Sequence, residues 1–122
     1  MDEISEVFKR ALDLLKVAES NFNSGFFPDS INRSYYAAFY AAKALLLKKS
    51  IITKTHSGTI GKFGREYVAN GIFDRDIARF FSELEEDRRN ADYDVSFKAT
   101  KNKAIIDLKN AKKFIKECEK FL

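Results

Sequence analysis

The densest group of residues able to do chemistry is the run Glu85-Glu86-Asp87-Arg88-Arg89-Asn90-Ala91-Asp92-Tyr93-Asp94. Arg88 lies four residues after Leu84 and three before Ala91, so a helix through this run carries it on the apolar face. An arginine cannot discharge itself by losing a proton, so away from water it needs a carboxylate or a phosphate. Asp92, one turn later, is the internal candidate, and the pair would then tie the helix to its neighbours. A phosphate is the external candidate, because the planar guanidinium donates two parallel hydrogen bonds. Arg89 stands beside it, and Tyr93, one turn after Arg89, brings a hydroxyl to the same helix end. Spacing alone leaves both partners open.

His56, the only histidine, lies in Lys54-Thr55-His56-Ser57-Gly58. Alone in a polar loop it reads as a capping or surface residue, with acid-base work as the alternative. No second histidine is present for a metal pair or a two-histidine ribonuclease site, and no serine or cysteine has a nucleophile setting. The spacing Gly58-Thr59-Ile60-Gly61-Lys62-Phe63-Gly64 lacks the ending and the preceding strand of a phosphate loop. Cys118 is the single cysteine, which excludes an internal disulfide and a cysteine-based zinc site and fits a reducing cytoplasm. No metal or cofactor is expected. Tyr35, Tyr36, Phe39 and Tyr40 form an aromatic stripe that suits a core or a homodimer interface better than cofactor stacking.

These residues must be held by helices. With 122 residues, 5 glycines and 1 proline, the chain predicts one all-α domain over 1–122, an antiparallel bundle of about five helices. Ile4, Val7, Phe8, Ala11, Leu14, Leu15, Ala18 and Phe22 set a first helix over about 4–22. Pro28 and Asp29 open a second, over about 29–49, which is apolar on most of its circumference and therefore central. Ser57 is the expected N-cap of a third helix ending at Asn70 and Gly71, and Asp74 the N-cap of a fourth whose end is blurred between Tyr93 and Ala99. A fifth runs from about Thr100 to Leu122. The most apolar run, Tyr35 to Leu47, is interrupted by Lys43 and falls short of the roughly 20 residues of a membrane span. The N-terminus lacks the pattern of a secretion signal.

The formal net charge of +4 is unevenly spread. Between Asp74 and Asp94 acidic residues outnumber four arginines, whereas from Lys98 to Lys120 eight lysines face only Asp107, Glu117 and Glu119. An acidic fourth helix beside a basic fifth predicts complementarity within the molecule more than a nucleic-acid face.

Taken in order, Ile31-Asn32-Arg33-Ser34-Tyr35-Tyr36-Ala37-Ala38-Phe39-Tyr40, Lys54-Thr55-His56-Ser57-Gly58 and Asp87-Arg88-Arg89-Asn90-Ala91-Asp92-Tyr93-Asp94, with a closing helix Lys103-Ala104-Ile105-Ile106-Asp107-Leu108, resemble the HEPN domain family of prokaryotes over essentially the whole chain. The resemblance implies a helical bundle that dimerises and that is often paired with a minimal nucleotidyltransferase in two-gene, toxin–antitoxin-like modules. It also implies, for many members, metal-independent endoribonuclease activity from an arginine followed four to six positions later by a histidine. Here the arginine half is matched and the histidine half is not. From Arg89 those positions hold Asp94, Val95 and Ser96, and from Arg88 they hold Tyr93, Asp94 and Val95. In some related toxins a tyrosine just after that histidine is nucleotidylated by the partner, and Tyr93 is a near neighbour of that position. The expectation is therefore a dimeric module that binds a nucleotidyltransferase and a nucleotide or RNA phosphate through Arg88, Arg89, Asp92 and Tyr93. The alternatives are a ribonuclease with a substitute proton carrier, drawn from Arg88, Arg89, Tyr93 and a displaced His56, and a purely structural dimerisation module.

Overall fold

The computed structural model describes residues 2–122. They form α1 (Glu3–Asn23), α2 (Phe27–Lys48), α3 (His56–Phe63), α4 (Arg75–Tyr93) and α5 (Lys101–Glu119), with a π-helical turn at Gly64–Val68 extending α3. No strand occurs among the described residues, and none of their helices is long and apolar enough to cross a membrane. The all-α bundle expected from periodicity is the architecture observed.

Each helix begins where a short polar side chain can satisfy a backbone N–H that has no partner within the helix. Asp2, Asp74 and Thr100 accept from the N–H groups of Ser5, Ile77 and Lys103 at 2.7, 3.0 and 3.2 Å. α2 is the exception, with no side-chain cap; it starts at Phe27, two residues earlier than expected, because Pro28 fits within the first turn. Between α1 and α2 the chain reverses through Gly25 at φ +82°, a conformation that a side chain would strain. The Ser30 hydroxyl then donates to the Ala18 carbonyl at 2.8 Å, locking the hairpin.

α2 packs against α1, α3, α4 and α5. Its fully buried Ala37, Ala38, Ala41, Ala42 and Ala44 let those neighbours approach closely. Beside it lies an aromatic core in which Phe63 meets Phe73, Phe114, Tyr67 and Phe81 at ring centroid distances of 5.1, 5.5, 5.7 and 5.8 Å. The Tyr67 hydroxyl, whose pKa burial raises, donates to the Leu45 carbonyl at 2.6 Å.

The start of α3 corrects the sequence expectation. Thr55, not Ser57, is the N-cap: its backbone is extended and its hydroxyl accepts from the Gly58 N–H at 2.9 Å. A Cβ on Gly58 would lie 2.8 Å from that hydroxyl oxygen, so the cap requires glycine there. His56 thereby becomes the first residue of α3 rather than a loop residue.

Candidate functional site

α2, α3 and α4 bring one histidine, two tyrosines and two arginines together. Arg88 lies on the buried face of α4 as its spacing requires, with 7% of its surface exposed. Its guanidinium carbon is 4.9 Å from the ring centroid of Tyr35 and 6.0 Å from that of Tyr36, both on α2. Arg88 Nη1 is 3.7 Å from Asp92 and Nη2 is 3.6 Å from Glu85, both longer than a hydrogen bond. Its Nε is buried without a hydrogen-bond partner among the described residues. The Asp92 pairing expected from the i, i+4 spacing is present, but Glu85 shares the cation. Asp92 is itself tied to α2 by the Asn32 amide, which donates at 3.1 Å.

Arg89 is the exposed member of the pair. Its side chain is 60% exposed, and Nε donates to Glu85 at 3.0 Å, holding the fork along the helix rim. Tyr93, the last residue of α4, is 78% exposed and joins none of the ring contacts among the described residues. It does not meet the Arg88 cluster.

His56 does. Its Nδ1 is 3.0 Å from the Tyr35 hydroxyl, and its ring stacks on Phe39 at 4.8 Å and meets the edge of Tyr36 at 5.4 Å. Burial, then the Arg88 charge, hold its pKa below the ordinary value despite Glu85, so the ring is neutral at pH 7. Burial likewise pushes the Tyr35 hydroxyl up to about 12, against the pull of Arg88. A protonated tyrosine beside a cation turns its lone pairs to the cation and its proton elsewhere, here to Nδ1 of His56. Nε2 then carries the ring's own proton and is a donor. Arg88, Tyr35 and His56 thus form a polarised chain running from the interior to the surface.

That chain ends in an open cleft between α3 and α4, about 570 Å³ in volume and lined by His56, Ser57, Ile60, Gly61, Glu85 and Arg89. The cleft offers a neutral donor, an exposed guanidinium and a hydroxyl, which suits an anionic oxygen. Of the stripe read as a dimer interface, Tyr35 is fully buried and Phe39 is 8% exposed within the single chain. Both are occupied by α3 and α4 contacts, so only Tyr36 and Tyr40 keep surface to offer. Sequence reading missed the recruitment of His56, although the short loop returning α3 onto α2 was the available signal.

A second buried charge was also missed. Asp107 on α5 is 2% exposed, and burial, then hydrogen bonding to and the charge of Asp87 on α4, push it up to about 8, with Lys103 opposing. Lys103 reaches Asp87 at 3.6 Å. The expected attraction between α4 and α5 is realised there, with a protonated acid at its centre. Asp107 follows Ala104 by three residues and precedes Ala111 by four, so its place on the buried stripe was readable.

Similar proteins occur in archaea and bacteria. "Putative toxin MJ0142" of Methanocaldococcus jannaschii is 32% identical over 98% of this chain and 82% of its own length. A "UPF0332 protein" of Thermotoga maritima is 32% identical over 93% of this chain and 81% of its own. The crystal structure of TT1696 from Thermus thermophilus superposes with a TM-score of 0.84 over the full length of both chains at 19% identity, which establishes the shared fold. The HEPN domain model matches residues 4–121, and with the buried arginine of α4 and the tyrosine-rich α2 in place, this chain belongs to the HEPN domain family.

Proposed function

We propose that the protein is a toxin-like HEPN module that binds an RNA phosphate in the α3–α4 cleft, acts as a homodimer and is held by a nucleotidyltransferase partner. The observation that carries this reading is the convergence of His56 and Arg89 on one open cleft, with Tyr35 and Arg88 fixing the imidazole from behind. Arg88 is too deeply placed to be the first contact. It polarises Tyr35, and Arg89 with the His56 Nε2–H meets the anion. The homology to proteins named as toxins supports the class, and the dimer and partner follow from the family resemblance.

Arg89→Ala and His56→Ala should each weaken binding of a single-stranded oligoribonucleotide by about 1 to 3 kcal/mol, the worth of a charge-assisted hydrogen bond, with the helical circular dichroism unchanged. Unchanged affinity in both variants sinks the reading. The same cleft favours one second reading, a ribonuclease in which His56 accepts the 2′-hydroxyl proton, the 2′-oxygen bonds the adjacent phosphorus, and the 5′-oxygen leaves with a proton from water. That chemistry needs a lone pair on Nε2, the opposite tautomer. RNA cut by the wild type but left whole by His56→Ala would establish it over pure binding.

A further inference from the structure

A second recess lies between α1 and α2, about 270 Å³ in volume and lined by Arg10, Leu14, Asn32, Arg33, Tyr36 and Tyr40. The Arg10 guanidinium carbon is 4.8 Å from the Tyr40 ring centroid, and that of Arg33 is 5.7 Å from the Tyr36 centroid. Neither arginine has a carboxylate within ion-pair distance among the described residues, and the nearby Asp13 is engaged by Lys9 at 3.6 Å. Every arginine of the α3–α4 site, by contrast, is answered by an acid. Two cations left without counter-charge, each placed against an aromatic ring, are unexplained by the fold.

Tyr36 makes this recess continuous with the first cleft, because its ring also meets His56 at 5.4 Å and lies 6.0 Å from Arg88. Tyr40 follows one turn later on the same helix, about 6 Å along its axis. Guanidinium forks alternating with aromatic rings along a groove are what a flexible polyanion with flat bases requires: the forks take phosphates and the rings take base faces. An acidic protein segment would use the cations and leave the tyrosine faces without a role. We propose that the α1–α2 recess is a flanking subsite for single-stranded RNA, holding the nucleotide next to the one in the α3–α4 cleft; this rests on the RNA reading of that cleft.

The test compares the wild type, Arg10→Ala/Arg33→Ala and Arg89→Ala in fluorescence anisotropy with an eight-nucleotide single-stranded RNA and with a mononucleotide, as a function of salt. The double variant should bind the long RNA at least tenfold more weakly and with a shallower salt dependence, since each lost phosphate contact reduces the slope by about 0.7, while mononucleotide affinity stays as in the wild type. Lysine at both positions should recover part of the loss. Equal affinity of double variant and wild type for the long RNA, with Arg89→Ala still defective, overturns the subsite alone. Loss in the double variant with none in Arg89→Ala would overturn the α3–α4 reading and leave the recess as the RNA site. Loss of a sedimenting dimer with RNA affinity unchanged would make the recess an interface between copies and overturn the proposal.

Discussion

Arg88 and Asp87 are neighbours on α4, both have charge drawn into the bundle, and the two sides solve that problem in opposite ways. Toward α2, Arg88 keeps its charge and is surrounded by Glu85, Asp92 and two tyrosine rings. Toward α5, Asp87 meets Asp107, and the excess charge is removed by protonation, with Lys103 assisting from the rim. An arginine cannot discharge and therefore imposes its partners on the sequence; an aspartate can, and therefore needs only one neighbour able to share a proton. The first arrangement is indifferent to pH near neutrality and fails when a partner is removed. The second tolerates its own neutral isostere and fails as the pH rises.

The sharpest break of that contrast is Arg88→Met. It strands two carboxylates, and removing one partner of a buried pair costs about 3 to 5 kcal/mol, measurable by urea denaturation. Arg88→Met with Asp92→Leu should recover only part of that loss, because Glu85 remains without its buried partner on α4; full recovery would show that Asp92 alone neutralises the cation.

On the α5 side the pH dependence carries the test. Asp107 has a folded-state pKa of about 8 against an ordinary 3.8, so the native state holds an extra proton between those values and stability should fall as the pH rises through that window. Asp107→Asn should flatten the dependence and be the more stable protein at pH 9 by about 1 to 3 kcal/mol, the cost of leaving a buried polar group unsatisfied. A wild-type melting temperature unchanged from pH 5 to pH 9 would refute the shared proton.

Tyr35→Phe removes the link between the interior cation and the surface imidazole. Loss of one hydrogen bond should cost about 0.5 to 1.5 kcal/mol. Nitrogen chemical shifts should show His56 leaving the single Nε2–H tautomer for a mixture. The smallest effect is a titration: by proton NMR His56 should have a midpoint below 6.5, moving upward in Arg88→Met as the repelling charge is lost.

Much of this is legible in the sequence, for a physical reason. Helical periodicity reports which side of each helix is dry, and it locates Arg88 on the buried face, Asp92 as its partner and α2 as the centre. It carries no information on what stands across the gap. Glu85 is readable as a helix neighbour of Arg88 at i, i+3, yet its role depends on the rotamer that the tyrosine rings impose. His56 reads as a loop residue because three polar residues compete to cap α3, and the choice of Thr55 over Ser57 is what turns the ring onto Phe39. Tyr35 and Phe39 read as surface for a second copy because a central helix and an interface helix have the same composition.

Counted in residues, the π turn at Gly64–Val68 is an insertion. Its bond from the Ala69 N–H to the Gly64 carbonyl, 2.8 Å long, closes over one residue more than an α-helical turn does. Removing one residue there would leave a continuous helix while rotating everything before it relative to everything after by about 100°. Phe63 and His56 lie before the turn, and Phe73 and the whole of α4 lie after it. A deletion between Lys98 and Lys101 would merely shorten a connection. The same deletion at Gly64–Val68 would keep every residue type and turn His56 away from Tyr35, so along this lineage chain length is constrained most tightly where the sequence itself looks most permissive.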